Sequence, residues 1–344
     1  MKGVLPERLS EPRPEREPEP AGQRITLGSI DRAAADDHLR PAVLDLLRAN
    51  HQTAIPAIAR SAELSDSVLA VTRSLRTEHY LTLGDARDLS AIPAESVHLA
   101  VTSPPYWTLK EYPDRTGQLG AVEDYERFVA ELDKVWAHVY RVLVPGGRLV
   151  VVVGDVNVAR RRFGRHLVFP LHASIQEHCR ALGFDNLAPI LWYKIANAKF
   201  EAGGSGFLGK PYEPNGVIKN DIEFILFQRK SGGYRQPALI TRALSVIPAS
   251  DNREWFRQIW TLGGASTRHH PAPYPLALAE RLVRMYSFVG DTVLDPFAGT
   301  GTTNRAAANW GRNSLGVEIE PAYHAMAVAR LVDEPQQLAV MTSR

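Results

Sequence analysis

Cysteine, long apolar runs and net charge are what this sequence has least of. Its 344 residues include one cysteine, Cys179, which excludes an internal disulfide and a thiolate metal cluster. No apolar run approaches the roughly 18 residues that cross a bilayer, and the amino terminus is charged and proline-rich where a signal peptide would be apolar. The sequence therefore predicts a cytoplasmic globular protein with no membrane segment and no metal site.

The sequence also has no large excess of positive or negative residues. Forty lysines and arginines stand against 38 acids, so the formal charge is +2. This balance argues neither for nor against nucleic acid as a partner, and any surface that binds phosphate must be local.

The first part of the chain differs in composition from the rest. Residues 1–22 interleave prolines with glutamates and arginines, a composition that cannot bury apolar area and predicts disorder. Residues 23–78 carry short amphipathic stretches, which predict a small helical appendage.

After residue 78, β-branched runs alternate with helical periodicity, which predicts a doubly wound α/β sheet. Predicted helices cover 125–143, ending at Pro145-Gly146-Gly147, and 171–182, 276–286, 304–310 and 321–331. Two stretches without a period, 160–166 and 196–216, are expected to be loops. The seven predicted strands are 79–83, 97–102, 149–153, 188–193, 222–227, 292–294 and 314–317.

The motif richest in chemistry is Asp295-Pro296-Phe297-Ala298-Gly299-Thr300-Gly301-Thr302-Thr303, between a predicted strand and a predicted helix. Glycines at such a turn let a ligand approach the backbone, and the helix offers unpaired amides. A dinucleotide phosphate would be repelled by Asp295, whereas a ligand with an ammonium group suits it. Glu318, at the end of the next strand, has the offset of an acid that binds ribose hydroxyls. Together these features indicate S-adenosylmethionine.

A second motif, Thr102-Ser103-Pro104-Pro105-Tyr106-Trp107, follows the strand at 97–102. Two prolines remove two amide donors and leave carbonyl groups as acceptors. The amino group of a nucleobase donates two hydrogens, so the Ser103 hydroxyl and the Pro104 carbonyl can accept them while Tyr106 offers a face for stacking.

These two motifs, in this order, resemble those of the beta class of DNA amino-methyltransferases, from about residue 80 to 331. The resemblance implies a circularly permuted Rossmann-like methyltransferase fold, with a catalytic half at 79–195 and a cofactor-binding half at 261–344. It implies catalytic roles for Ser103, Pro104, Pro105 and Tyr106. The cofactor residues that follow from it and from the glycine turn are Asp295, Pro296, Phe297, Gly299, Thr300, Gly301, Glu318, Asp85, His270 and Pro271.

Double-stranded DNA is the partner that the resemblance implies, with the base flipped out of the duplex. Residues 196–260 are expected to hold the target-recognition region, including Arg235, Arg242, Arg253 and Arg257. Residues 160–166, called the arginine run, contain four arginines. A solvated basic loop is an equally good interpretation of this run. The candidate contacts with nucleic acid are Trp107, Arg160, Arg161, Arg162, Arg165, Lys199 and Lys210.

Serine at position 103 favours cytosine N4 as the methyl acceptor, because relatives with Ser-Pro-Pro-Tyr mostly act on cytosine and those with Asp-Pro-Pro-Tyr mostly on adenine. Adenine N6 stays open as the alternative, and so does a catalytically silent nucleic-acid-binding relative. The sequence leaves open whether a cognate restriction endonuclease exists and whether the protein is a monomer or a homodimer.

Overall fold

The computed structural model describes residues 39–107, 115, 117–194, 221–264, 274–332 and 338–343. The predicted disordered tail and the predicted loop at 196–216 lie outside these ranges. None of the helices in the described ranges is long and apolar enough to cross a membrane.

Eleven strands are present in the described part of the chain, and nine of them form one sheet. The two others, β4 and β5, pair with each other as a separate antiparallel hairpin. In chain order the strands are β1 (Thr77–Leu83), β2 (Val97–Thr102), β3 (Leu143–Val153), β4 (Val156–Val158), β5 (Leu167–Phe169), β6 (Phe184–Tyr193), β7 (Ile222–Lys230), β8 (Ile259–Trp260), β9 (Thr292–Asp295), β10 (Asn313–Glu318) and β11 (Leu338–Ser343).

The strand order of the large sheet is β11-β1-β10-β9-β2-β3-β7-β6-β8. Every pairing in it is parallel except those of β7, which runs antiparallel to both β3 and β6. The mostly parallel, permuted α/β fold is confirmed, since the late strands β9 and β10 lie between the early strands β1 and β2.

All seven predicted strands are present in the large sheet, but this sheet has nine strands, two more than predicted. β8 has two residues, too few to show a period of two. β11 lies at the edge of the sheet, where β1 is its one neighbour among the described strands.

Strand β3 shows why the sheet is covered on both faces. Residues 149–153 are all buried, and they contribute alternately to two apolar clusters: Leu149, Val151 and Val153 to one, Val150 and Val152 to the other. A strand buried on both faces reads as a continuous apolar run.

Eleven α-helices occur in the described residues, and the five with predicted spans match those spans to within two residues. They are α1 (Pro41–Ala49), α2 (His51–Arg60), α3 (Ala62–Ser74), α4 (Tyr125–Val142), α5 (Arg160–Phe163), α6 (Leu171–Ala181), α7 (Leu239–Leu244), α8 (Ala249–Trp255), α9 (Leu276–Tyr286), α10 (Thr302–Asn309) and α11 (Pro321–Val332).

Two local predictions are wrong. Helix α4 ends at Val142, and the Pro-Gly-Gly stretch lies inside β3, where the pairing register with β2 shifts; the glycines serve a bulge rather than a helix stop. The expected loop at 160–166 contains the four-residue helix α5, which is too short for any period to reveal.

Helices α1 to α3 form the appendage. Val43 and Ile58 pack in one apolar cluster with Leu244 of α7 and Trp310, and the Thr72 hydroxyl donates to the Leu244 carbonyl at 2.8 Å. The appendage is thus bound to the side of the domain where the parallel strands begin.

Candidate active site

Four neighbouring strands, β1, β10, β9 and β2, end at one edge of the sheet and surround a cleft. Parallel strands bring the residues that follow their carboxyl ends together. The cleft is lined from these ends and from residues 117–119, by Gly84, Asp85, Ala86, Ser103, Pro105, Gly117, Gln118, Leu119, Pro296, Phe297, Val317, Glu318, Ile319 and Tyr323. It therefore joins the two sequence motifs in one site.

Asp295 connects these motifs directly. Its carboxylate is 1% exposed and accepts four hydrogen bonds: from Thr102 Oγ1 (2.6 Å), Thr303 Oγ1 (2.6 Å), the Phe297 amide (3.0 Å) and Tyr274 Oη (3.2 Å). Thr102 is the residue before Ser103, and Phe297 lies in the glycine turn. The buried carboxylate thus ties residues 103–107, called the catalytic loop after their predicted role, to residues 295–301, called the cofactor turn after theirs.

This geometry corrects the expected role of Asp295. Its side chain does not line the cleft, and its oxygens already hold four donors, so the structure does not show it as an ammonium partner. Burial raises the pKa of Asp295, while the hydrogen bonds from Thr102 and Thr303 lower it. Three hydroxyls and an amide offset much of the cost of burying the charge.

Glu318 does line the cleft. Its two carboxylate oxygens accept the backbone amides of Gly299 (2.7 Å) and Glu320 (2.8 Å), which fixes the side chain at the end of β10. Burial is the main cause that raises the pKa of Glu318. Each oxygen keeps a second lone pair, so hydroxyl groups of a ligand can be bound here.

The glycine turn is shaped by backbone geometry. Gly299 and Gly301 have positive φ values of 53° and 78°, and a Cβ at Gly301 would lie 2.9 Å from the Ala327 Cβ. Only glycine satisfies both constraints at 301. Pro296 and Phe297 of this turn line the cleft, whereas Gly299, Thr300 and Gly301 form its support.

Asp85 lies in the cleft wall as expected, but with a partner that sequence reasoning missed. Arg87 forms ion pairs with Asp85 and with Glu131 of α4, both at 2.5 Å. The guanidinium balances the Asp85 charge and joins the end of β1 to helix α4.

The catalytic loop places the Ser103 hydroxyl 3.4 Å from the Tyr106 hydroxyl. Tyr106 is largely buried and lies beside Gly154, where a Cβ would be 3.4 Å from its ring and 3.3 Å from Glu223 Cγ. Glu223 forms a mostly buried ion pair with Lys194. A charged pair on β7 and at the end of β6 therefore lies across Gly154 from Tyr106.

Trp107 does not contact solvent as a DNA-binding residue would. Its ring is 1% exposed, its Nε1–H donates to the Val122 carbonyl at 2.8 Å, and it packs against Tyr125 and Phe169 with ring centroids 5.3 and 4.9 Å apart. The expected nucleic-acid contact is replaced by packing, because an aromatic cluster from three elements closes over the indole.

The arginine run lies at the edge of the sheet that carries the cleft. Arg161, Arg162 and Arg165 are exposed at the tip of the β4–β5 hairpin, while the side chain of Arg160 lies outside the described residues. Arg235, in contrast, pairs with Asp291 just before β9 begins, at 2.6 and 2.7 Å, so it lies at the opposite edge. His270, Pro271, Lys199 and Lys210 are outside the described residues.

Sequence reasoning missed the hydroxyl residues around Asp295 and the pair opposite Tyr106. Thr102 and Thr303 belong to the motifs themselves, so their position at a strand end and a helix start was a usable signal. Tyr274, Lys194 and Glu223 come from distant segments, and only the fold brings them here.

The fold and the cleft define a Rossmann-like methyltransferase domain, and comparisons with known proteins agree. The family model for N6/N4 methyltransferases, described as DNA methylase, matches residues 97–329. Type II methyltransferase M.MjaI of Methanocaldococcus jannaschii is 37% identical over 72% of this chain and 88% of its own. The chain belongs to this family of DNA methylases, which confirms the resemblance that its motifs indicated.

Solved structures extend the comparison. TTHA0409 of Thermus thermophilus, crystallised with S-adenosyl-L-methionine, is 55% identical, with a TM-score of 0.64 over 77% of this chain and 99% of its own. The cytosine-N4-specific PvuII DNA methyltransferase shares the fold, with 20% identity and a TM-score of 0.55 over 76% of this chain and 89% of its own. The DNA adenine methyltransferase YhdJ of Escherichia coli is 29% identical over 72% of this chain and 81% of its own. The chain is therefore similar in sequence to an adenine methyltransferase and similar in fold to a cytosine-specific one.

Proposed function

We propose that this DNA methylase transfers a methyl group from S-adenosylmethionine to the exocyclic N4 amino group of cytosine in double-stranded DNA. The observation that carries the proposal is that Ser103 lines the same cleft as Glu318 and Phe297. A methyl donor held by the cofactor turn and an amino group held by the catalytic loop would meet there.

The cleft has the hydrogen-bond acceptors and the apolar surface that an adenosyl ligand requires. Glu318 and Asp85 provide carboxylates for hydroxyl and amino groups, and Phe297, Ile319 and Leu119 provide apolar surface. The cofactor supplies a methyl group activated by a positive sulfonium. Asp295 supports this site from behind, by fixing the turn that carries Phe297.

The protein's part in the chemistry is alignment. The Ser103 hydroxyl and the Pro104 carbonyl accept the two amino hydrogens of a flipped base, which draws the nitrogen toward tetrahedral geometry and frees its lone pair. Transfer is a direct in-line displacement, and the proton leaves the nitrogen afterwards, so no strong general base is needed. Cys179 is buried and takes no part, since burial raises the pKa of its thiol.

Adenine N6 is the second candidate, and the similarity to YhdJ favours it. Both acceptors are amino groups on a ring, so the same hydrogen-bond acceptors serve either. The choice of cytosine depends on the serine at position 103.

The base can be identified by incubating the protein with DNA and S-adenosylmethionine carrying a labelled methyl group, then digesting the DNA to nucleosides. Label in N4-methylcytosine supports the proposal, and label in N6-methyladenine replaces it with the second candidate. Cofactor binding without label on any DNA contradicts both and indicates a silent relative.

Ser103→Ala tests the role of the hydroxyl. We expect kcat to fall about 10- to 100-fold, because one acceptor aimed at the reacting amino group is lost, while the Kd for S-adenosylmethionine stays unchanged. Ser67→Ala in the appendage, where the hydroxyl bonds only the Leu64 carbonyl in its own helix, is the matched control. Full activity of Ser103→Ala would disprove the acceptor role.

A further inference from the structure

The hairpin β4–β5 is the one described two-stranded unit that does not join the large sheet. It follows Gly154 and Asp155, directly after the carboxyl end of β3, so it extends from the edge that carries the cleft. Its sequence from 156 to 169 contains four arginines and no acid. A local positive charge of this kind is what overall composition could not reveal, and it matches the phosphates of DNA.

The base of the hairpin is fixed to the catalytic loop. Val156 and Val158 are buried, and Phe169 packs against Trp107 and Tyr125 at centroid distances of 4.9 and 4.7 Å. Trp107 comes next in the chain after Tyr106. The base of the hairpin is therefore in contact with the residue that follows Tyr106.

The tip of the hairpin combines an apolar ring with exposed charges. Phe163 is 42% exposed, although its ring centroid lies 6.2 Å from that of Phe169, and Gly164 follows it in the left-handed conformation, with φ of 70°. Arg161 and Arg165 flank it and are exposed. The guanidinium of Arg162 lies 4.9 Å from the Trp107 ring and 5.6 Å from that of Phe163, bridging tip and base.

An exposed phenylalanine among arginines is complementary to a partner that carries negative charges on its surface and stacked aromatic rings in its interior. DNA has both properties, since apolar side chains can enter between base steps while arginines bind the flanking phosphates. Moving the apolar ring from water into such a stack is favourable.

We propose that Phe163 enters the DNA duplex where the target base has been flipped out, while Arg161 and Arg165 bind the flanking phosphates. This inference rests on the proposed function in one respect, that a base is flipped, and it holds for cytosine and adenine alike. The ring would replace part of the stacking that the flipped base gives up and so favour the extrahelical state.

The test is Phe163→Ala on a duplex carrying the site mapped from modified bases in host DNA. Stacking of one base on an aromatic side chain is worth about 1–3 kcal/mol, so kcat/KM should fall about 5- to 150-fold. Val168→Ala, at the other exposed apolar residue of the hairpin, is the control and should act like wild type.

A mismatched target base separates this role from a structural one. A mismatch lowers the cost of flipping, so the Phe163→Ala defect should shrink on that duplex, and Phe163→Leu should recover much of the loss. An equal defect on both duplexes, or none on either, would overturn the proposal. Failure of the proposed function is distinct, because the nucleoside assay with the wild-type protein reports it.

The arginines have their own readout. Arg161→Gln with Arg165→Gln should flatten the slope of log K against log salt by about 1.8 if each contacts one phosphate. The same change at the exposed Arg48 and Arg60 of the appendage, outside the hairpin, should leave the slope as in wild type. An unchanged slope in the hairpin variant would contradict the phosphate contacts.

Discussion

The two ends of the sheet differ in their buried charges, since the amino end buries guanidiniums together with the Asp291 carboxylate. At the carboxyl ends of the strands, Asp295 and Glu318 are buried carboxylates whose pKa is raised by burial. At the amino ends, Arg312 and Arg284 are buried guanidiniums, and burial lowers the pKa of Arg312 to about 9 and that of Arg284 to about 10.

The partners at each end differ as well. The carboxylates are held by hydroxyls and amides, which leaves a cleft beside them. Arg312 donates to the Ser287 carbonyl and hydroxyl, and Arg284 lies 4.0 and 4.6 Å from the Trp310 and Trp255 rings. The amino end is thus filled by packing and covered by the appendage, whereas the carboxyl end is built to stay open for ligands.

Acid should break the amino half of the sheet first, and this is the largest effect that we expect. His79 of β1 bonds Thr77 and Ser314 hydroxyls at 2.8 Å each, and burial lowers its pKa from 6.5 to about 3. The unfolded chain therefore binds the proton first. The contribution of neutral His79 to the free energy of unfolding is complete above pH 6.5. It is lost as pH falls toward 3, by about 4–5 kcal/mol in all.

Denaturant titration from pH 7 to 4 measures this loss. His79→Gln should lose less stability with acid than the wild type, by up to about 1.4 kcal/mol per pH unit. The same substitution at the partly exposed His166 is the control. Parallel pH profiles of wild type and His79→Gln would show that His79 does not govern the acid response.

Asp295→Asn should break the carboxyl end. The amide would turn a donor toward Thr102, Thr303 or Tyr274, so a buried polar group loses its partner and the free energy of unfolding falls by about 3 kcal/mol. Turnover should drop along with stability, since the tie between catalytic loop and cofactor turn is weakened. Asp185→Asn, at an ion pair whose side chains are both partly exposed, should cost much less, because solvent screens such a pair. Equal costs for the two variants would refute the importance of the buried network.

Gly301→Ala gives the smallest effect and sharpens the account of the turn. A positive φ and a Cβ contact of 2.9 Å with Ala327 act together there, so we expect a loss of about 2 kcal/mol in unfolding free energy. Gly164→Ala, with φ of 70° and nothing within 4 Å of its Cβ, isolates the cost of φ alone, about 1 kcal/mol. A loss at 301 no larger than that at 164 would show that the contact with Ala327 relaxes freely.

Much of the fold was predictable because its signals are local. The strand residues 149–153 are recognised by a continuous apolar run, and the helix at 276–286 by its helical period. The two-residue strand β8 and the four-residue helix α5 are shorter than any period, and the Pro-Gly-Gly stretch was misassigned because glycine suits a bulge as well as a helix end.

The site was predictable as a pair of motifs but not as an arrangement. Ser103, Phe297 and Glu318 line the cleft as their positions at strand ends required. The role of Asp295 could not be deduced, because its partners Thr102 and Tyr274 are distant in sequence and only the neighbouring positions of β2 and β9 bring them together. Trp107 was assigned to DNA since sequence does not show that Tyr125 and Phe169 would cover it.

By itself the sequence determined seven strands of the large sheet and five helices in their chain order, together with the glycine turn and the catalytic loop. These depend on burial periods and on residues with restricted backbone angles. Tertiary structure alone decided that the Asp295 carboxylate faces hydroxyls instead of the cleft. It also decided that the arginine run lies at the tip of the β4–β5 hairpin, whose base packs against Trp107. Those outcomes depend on which distant side chains share a small volume, and packing, not local preference, settles that.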